Sequence, residues 1–167
     1  DVGKNKEEFW LNNKLMAVKN DANEILCYMY NMINEAQYNK IPLKKETFIK
    51  YGASIELFNG VVDWFKNINQ YGHDIGINIK HYINSSGLKE MIEGTPIAKE
   101  FENIYACSFL YDENGVAFWP AVAVDYTTKT QFIFKINKGI KEVSDTVKIN
   151  EFVPYEERSI PFEHMIY

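Results

Sequence analysis

The stretch Ile77-Asn-Ile-Lys-His-Tyr-Ile-Asn-Ser-Ser-Gly-Leu-Lys-Glu-Met-Ile-Glu-Gly94 constrains the fold more than any other in the chain. Ile77, Ile79 and Ile83 alternate as strand residues do, whereas Leu88, Met91 and Ile92 fall at the offsets of a helix face. The period switches at Ser85, Ser86 and Gly87. In open α/β sheets ligands bind beyond the carboxyl ends of strands, where a helix N-terminus offers N–H donors to an anion. This turn is therefore the first candidate site. Ser85 or Ser86 serves equally as the cap of a helix starting near Gly87, worth about 1 kcal/mol, and spacing alone favours capping over catalysis.

The flanking segments set the fold class. Residues 7 to 18 carry Phe9, Trp10, Leu11, Leu15, Met16 and Val18, a broad apolar stripe, and Asp21 with Glu24 three residues later matches a capping box. In the second helix Ile25, Tyr28, Met29, Met32, Ile33 and Ala36 repeat at i, i+3, i+4 and i+7, the pattern of a core-facing stripe. Pro42 interrupts it, and a short helix over 45–51 ends at Gly52. After the Asn59-Gly60 turn, Val61, Val62, Trp64, Phe65 and Ile68 predict a further helix closed by Tyr71-Gly72. Residues 104–110 and 116–124 read as strands joined at Asp112-Glu-Asn-Gly115, with Pro120 arguing for an edge position. Thr128 and Gln131 fit a capping box for a last helix that packs Phe132, Ile133 and Ile136 and stops at Gly139. Helices first, then strands alternating with helices, indicate an α/β sheet preceded by a helical insertion.

Composition narrows the function classes. At 167 residues, 46% hydrophobic and 25% charged, the sequence describes one soluble domain, or one domain with an insertion. A net charge of −5 with no basic cluster longer than Lys44-Lys45 gives no electrostatic footprint for nucleic acid. No run approaches the roughly 20 apolar residues of a membrane span. Cys27 and Cys107 fall in unrelated helix and strand contexts and read as reduced, buried thiols of a cytoplasmic protein. His73, His81 and His164 lack zinc spacing, and His81 reads as a hydrogen-bonded core residue, so no metal ligands are assigned within the chain. The glycine motifs of phosphate loops, dinucleotide folds and nucleophile elbows are absent.

Lys129 resists a bland explanation. With Thr128 as cap it occupies the first helical position, where the macrodipole disfavours a cation by a few tenths to about 1 kcal/mol. A bound anion would reverse that sign. The alternative is a solvated lysine whose small penalty salt screens away.

The runs His81-Tyr-Ile-Asn-Ser-Ser-Gly-Leu-Lys-Glu-Met-Ile-Glu-Gly94, Phe101-Glu-Asn-Ile-Tyr-Ala-Cys-Ser-Phe109, Trp119-Pro120, Tyr126-Thr-Thr-Lys-Thr-Gln-Phe132 and Lys135-Ile-Asn-Lys-Gly139 resemble a bacterial group of haloacid dehalogenase superfamily hydrolases. In that superfamily a first motif, Asp-x-Asp-x-Thr, supplies the aspartate nucleophile and an acid/base aspartate. A Ser or Thr at a strand end forms the second, a Lys opening a helix the third, and an acidic loop that holds magnesium the fourth. Ser85 matches the second and Lys129 the third. The resemblance implies that these two residues are catalytic, that Ser86 and Gly87 bind substrate, and that Lys129 sits where a phosphate offsets the helix dipole.

The implied fold is a Rossmann-like, three-layer α/β/α core over residues 56–167 with an N-terminal helical cap over 1–55. The implied activity is that of a magnesium-dependent phosphatase that hydrolyses small-molecule phosphate esters through an aspartyl-phosphate. Phosphoryl transfer depends on cations and donors around the equatorial oxygens, which a lysine and a serine hydroxyl supply. Neither the first nor the fourth motif occurs in residues 1–167. The opening at Asp1-Val-Gly is similar to family sequence just after motif one, and Pro161-Phe-Glu-His-Met-Ile-Tyr167 reads as a strand that would lead into the magnesium loop. The expectation is a piece cut between those motifs. It would be inactive, with Mg2+ bound only by the complete protein and an incomplete sheet prone to self-association through unpaired strands. The competing reading is a non-catalytic binding or interaction module that keeps the fold without the chemistry.

Overall fold

The computed structural model describes residues 5–167, so the Asp1-Val-Gly opening lies outside the described residues. Among the described residues six α-helices and a three-stranded sheet follow in the order α1 (Lys6–Asn20), α2 (Glu24–Tyr38), α3 (Lys45–Ala53), α4 (Val61–Asp74), β1 (His81–Leu88), α5 (Lys89–Gly94), β2 (Phe101–Tyr111), β3 (Ala117–Val122) and α6 (Tyr126–Lys138). Residues beyond α6 form only short 3-10 turns. The sheet order is β1-β2-β3. β1 and β2 run parallel, with Ile83 beside Ile104 and Ser85 beside Ala106, which requires a crossover of about a dozen residues; α5 supplies it. β2 and β3 form an antiparallel hairpin in which Leu110 faces Trp119. Its turn is built by Asp112, whose carboxylate accepts from the Asn114 and Val116 amides, and Gly115 takes the positive φ of 71° that the turn needs. β3 lies at the sheet edge, where Pro120 forfeits no partner on its outer side.

The core gathers on one row of β2. Tyr105, Cys107 and Phe109, alternate residues of that strand, are buried together with Met29 and Ile33 of α2, Phe48 of α3 and Phe132 and Ile136 of α6. Tyr105 stacks on Phe132 at 4.8 Å and Phe109 on Phe48 at 6.0 Å. The α2 stripe thus packs as its periodicity requires, since each fully buried Met or Phe contributes about 1.5–3 kcal/mol. α3 and α5 cross at backbone contact: a Cβ on Gly52 would fall 1.9 Å from the Met91 carbonyl oxygen, and one on Gly94 2.0 Å from that of Ile49. Gly52 therefore serves as a packing residue inside α3 rather than as a stop. Gly72 plays the same part in α4, pressed against Ile79, and that helix continues to Asp74.

Several boundaries differ from the expectations above. Asp21 does not cap α2; it takes a left-handed φ of 49° to end α1, and Asn23 caps α2 by accepting the Leu26 amide. The strand starts at His81, since residues 77–80 are irregular and Ile77 is exposed. It also runs through Ser85, Ser86 and Gly87 to Leu88, with a break in register after Ser85. The α6 cap is Asp125, three residues before Thr128. Residues 162–167 form a 3-10 turn and an irregular end, with Ile166 fully exposed. Proline at 161 and the absence of a pairing partner leave that apolar run without a ladder to join. Cys27 and Cys107 are free, buried thiols, as read from their contexts.

Candidate functional site

Three segments meet where β1 ends: the Ser85 turn, the first turns of α6 and the N-terminal half of α2. The Ser85 turn is locally determined. Ser85 Oγ accepts the Gly87 amide at 3.0 Å, a local serine turn at the break in register within β1 that leaves the hydroxyl proton free to donate elsewhere. A Cβ on Gly87 would lie 3.3 Å from that oxygen, so a larger residue there would require the serine side chain to give by a few tenths of an ångström. Neither serine caps α5, whose N-cap residue Leu88 makes no side-chain bond. Capping as the explanation of Ser85 and Ser86 is thereby overturned. The helix is also only six residues long, too short to act as a strong dipole.

The α6 turn is held by its cap. Asp125 Oδ1 accepts from the Thr127 and Thr128 amides at 2.9 and 2.8 Å, and Thr128 Oγ1 accepts the Asp125 amide at 2.7 Å, closing a reciprocal box. These bonds, with that from Asn23, hold the Asp125 carboxyl below its ordinary pKa, the Thr128 amide foremost. The other carboxylate oxygen, Oδ2, accepts Asn23 Nδ2 at 2.5 Å, so the caps of α2 and α6 are joined. Counting from Asp125, Lys129 is the fourth helical residue rather than the first. The dipole argument that singled it out weakens there, because the effect falls off within the first turn. Lys129 is half-buried, with Nζ 5.6 Å from the centre of the exposed Tyr126 ring.

Two more bonds complete the junction. Asn84 Nδ2 donates to the Lys129 carbonyl at 2.8 Å, drawing α6 against the residue that precedes Ser85. Tyr28 Oη donates to the Ser86 carbonyl at 2.9 Å, so α2 also touches the serine turn. Ser85, Ser86, Gly87 and Lys129, four residues picked from sequence, thus belong to segments tied together by side-chain bonds. Sequence reasoning missed Asn23, Tyr28, Asn84 and Asp125. Asp125 carried a legible signal, an aspartate three residues before a threonine that opens a helix, but the Thr128–Gln131 spacing fits the same template and obscured it.

Beneath the junction lies a buried polar cluster. Burial raises the Tyr28 hydroxyl far above its ordinary pKa, with Cys107 and Glu90 adding to the shift. Burial raises the Cys107 thiol as well, partly offset by the Val124 amide that donates to its sulfur at 3.2 Å. Such a thiol is a poor nucleophile. His81, half-buried, bonds Asn69 Oδ1 at 2.8 Å and meets Phe65 edge-on at 5.0 Å. Burial lowers its pKa against an opposing pull from Glu100. It is a packed, hydrogen-bonded residue. Among the described residues no three His, Cys, Asp or Glu side chains gather as a metal-holding group, and the Asp125 oxygens are taken up by the helix and Asn23. Among the described residues no helix is long and apolar enough to cross a membrane.

Comparison with known proteins adds one relative. No family model matches the chain, and no solved structure matches it. An uncharacterized protein of Borreliella burgdorferi is 33% identical over 142 residues, an alignment that takes in 75% of this chain and 48% of the relative. The chain spans about half the length of the curated relative it matches.

Proposed function

We propose that the chain is part of a haloacid dehalogenase-like phosphatase, a phosphoric monoester hydrolase working through an aspartyl-phosphate, with Ser85 and Lys129 as its phosphate-facing residues. The observation that carries this reading is the Asn84 to Lys129 hydrogen bond. It joins the serine turn to the lysine helix, although the two candidates stand 44 positions apart in sequence. Ser85, whose Oγ is fixed by the Gly87 amide, donates its hydroxyl proton to a phosphoryl oxygen. Lys129 neutralises charge on the same group. The nucleophilic aspartate belongs to sequence outside residues 1–167, and no step of these residues runs through magnesium. In the same reading β1, whose outer side carries no strand among the described residues, takes a further strand there and the sheet grows into the Rossmann-like core. Left unpaired, that edge is a template for association with another copy.

The test uses the complete protein. Turnover of a small phosphate ester such as an aryl phosphate is expected, and Lys129→Ala is expected to lower it by orders of magnitude while far-UV circular dichroism stays unchanged. Wild-type turnover in that variant would remove Lys129 from the site. A complete protein without phosphatase activity would instead favour a binding module on the same fold.

A further inference from the structure

We infer that Asn84 is a positioning residue that sets the separation of Ser85 and Lys129; the inference rests on the roles proposed for those two. Position 84 lies in β1 between Ile83 and Ser85, paired with Tyr105 of β2. Asparagine is a poor strand former there, where valine or isoleucine would fit the pleat better. One half of its amide is also left unsatisfied: Oδ1 is buried and accepts no hydrogen bond from the described residues. A strand position that keeps an unfavourable residue with an unpaired buried acceptor does so for what its other atom achieves. That atom is Nδ2, which donates to the Lys129 carbonyl. The amide cannot be turned over, because Oδ1 would then face the carbonyl oxygen of Lys129.

The consequence is geometric. The bond ends on the backbone of Lys129 itself, which leaves its ammonium free while fixing the turn that carries it. Removing the donor lets the first turns of α6 shift against β1, and a displacement on the order of 1 Å at a reacting centre lowers turnover by about 10²-fold. Local rules broken at one residue and satisfied around it are the mark of a position kept for function.

The experiment compares Asn84→Val and Asn84→Asp with wild type in the complete protein. Valine restores strand propensity and removes the unpaired acceptor. Aspartate keeps the shape and replaces the donor by an oxygen. Both are expected to lower kcat by about 10- to 10²-fold with KM for the aryl phosphate little changed, and valine is expected to leave the Tm equal to or above that of wild type. A lowered Tm with wild-type kcat in Asn84→Val would overturn the inference and make Asn84 a structural residue. Should the complete wild-type protein show no turnover, the phosphatase reading fails separately. Amide hydrogen exchange then decides: faster exchange confined to residues 126–133 in Asn84→Val supports positioning, and unchanged exchange overturns it.

Discussion

Two helices of equal length, α1 and α2, open the chain and meet the rest of the molecule in opposite ways. Each has 15 residues and each is rich in large apolar side chains. In α2 these recur at helical spacing and become core: Met29 is 0% exposed, and Tyr28, Ile33 and Ala36 are buried beside it. In α1 the buried pair is Asn13 and Ala17, while Leu11, Leu15 and Val18 stay 56%, 57% and 74% exposed. Asn13 Oδ1 accepts Asn31 Nδ2 at 2.5 Å, so a polar bond fixes the α1–α2 contact. Apolar content does not decide which face a helix buries. The neighbour does: α2 supplies α1 with an asparagine, whereas α2 itself packs on β3 and brings Tyr28 against Cys107 of β2.

The largest effect should come from deepening that contrast. Met29→Ala empties a fully buried site in the shared core and is expected to cost about 2–5 kcal/mol, read as a shift in urea midpoint. A loss under 1 kcal/mol would mean that the α2 stripe is less tightly packed than its burial states. Asn13→Ala is next. It leaves Asn31 Nδ2 short of its oxygen acceptor, at an expected cost of about 1–3 kcal/mol, though Met16 Sδ at 3.4 Å offers that donor a weak substitute. If Asn13→Ala proves neutral, the α1–α2 contact is held by Met16 and by the Trp10–Tyr28 ring contact and not by the asparagine pair.

A smaller effect separates the two N-caps. Asn23→Ala removes the cap of α2 and one donor to Asp125, and is expected to destabilise by about 1 kcal/mol near neutral pH. The sign with pH follows from the lowered Asp125 pKa. A depressed carboxyl pKa stabilises in full above the unfolded value of about 3.9, and that contribution disappears as pH falls through the folded value. The gap between wild type and Asn23→Ala should therefore narrow below about pH 4 in a thermal-melt series. A gap that stays constant down to acid pH would show that Asn23 acts through α2 alone.

The contrast also explains how much of the molecule its sequence made legible. The α2 face, the Asp112–Gly115 turn, the β3 edge and the Gly139 stop follow from local rules, because period, turn chemistry and missing donors act within a few residues. Position within the fold does not. Gly52 and Gly72 resemble helix stops because close backbone crossings use the same residue for a different reason. Asp21 and Thr128 fit capping templates at the wrong offset, since Asn23 and Asp125, each joined to the other, compete for those helix ends. At the candidate site the switch of period singled out Ser85 and an assumed first-turn position singled out Lys129, the latter at the wrong offset, and only the resemblance gave the two a shared role. The bonds joining their segments, from Asn84 and Tyr28, span 45 and 58 residues and left no local trace.

The smallest expected effect is the one that tests the exposed face of α1. Leu15→Gln exchanges a side chain that is more than half exposed for a polar one of similar helix propensity. Little buried area changes, so unfolding of the 167-residue chain should move by no more than about 0.5 kcal/mol, the range of surface substitutions away from special contacts. Leu11, Leu15 and Val18 stand at i, i+4 and i+7, so the same holds for each of the three. In the complete protein the identical substitution carries more information. A cost still within about 0.5 kcal/mol there keeps the face in water. A cost of 2 kcal/mol or more is the size of a buried leucine contact and would mean that sequence outside these residues covers α1, which would make the two helices alike after all.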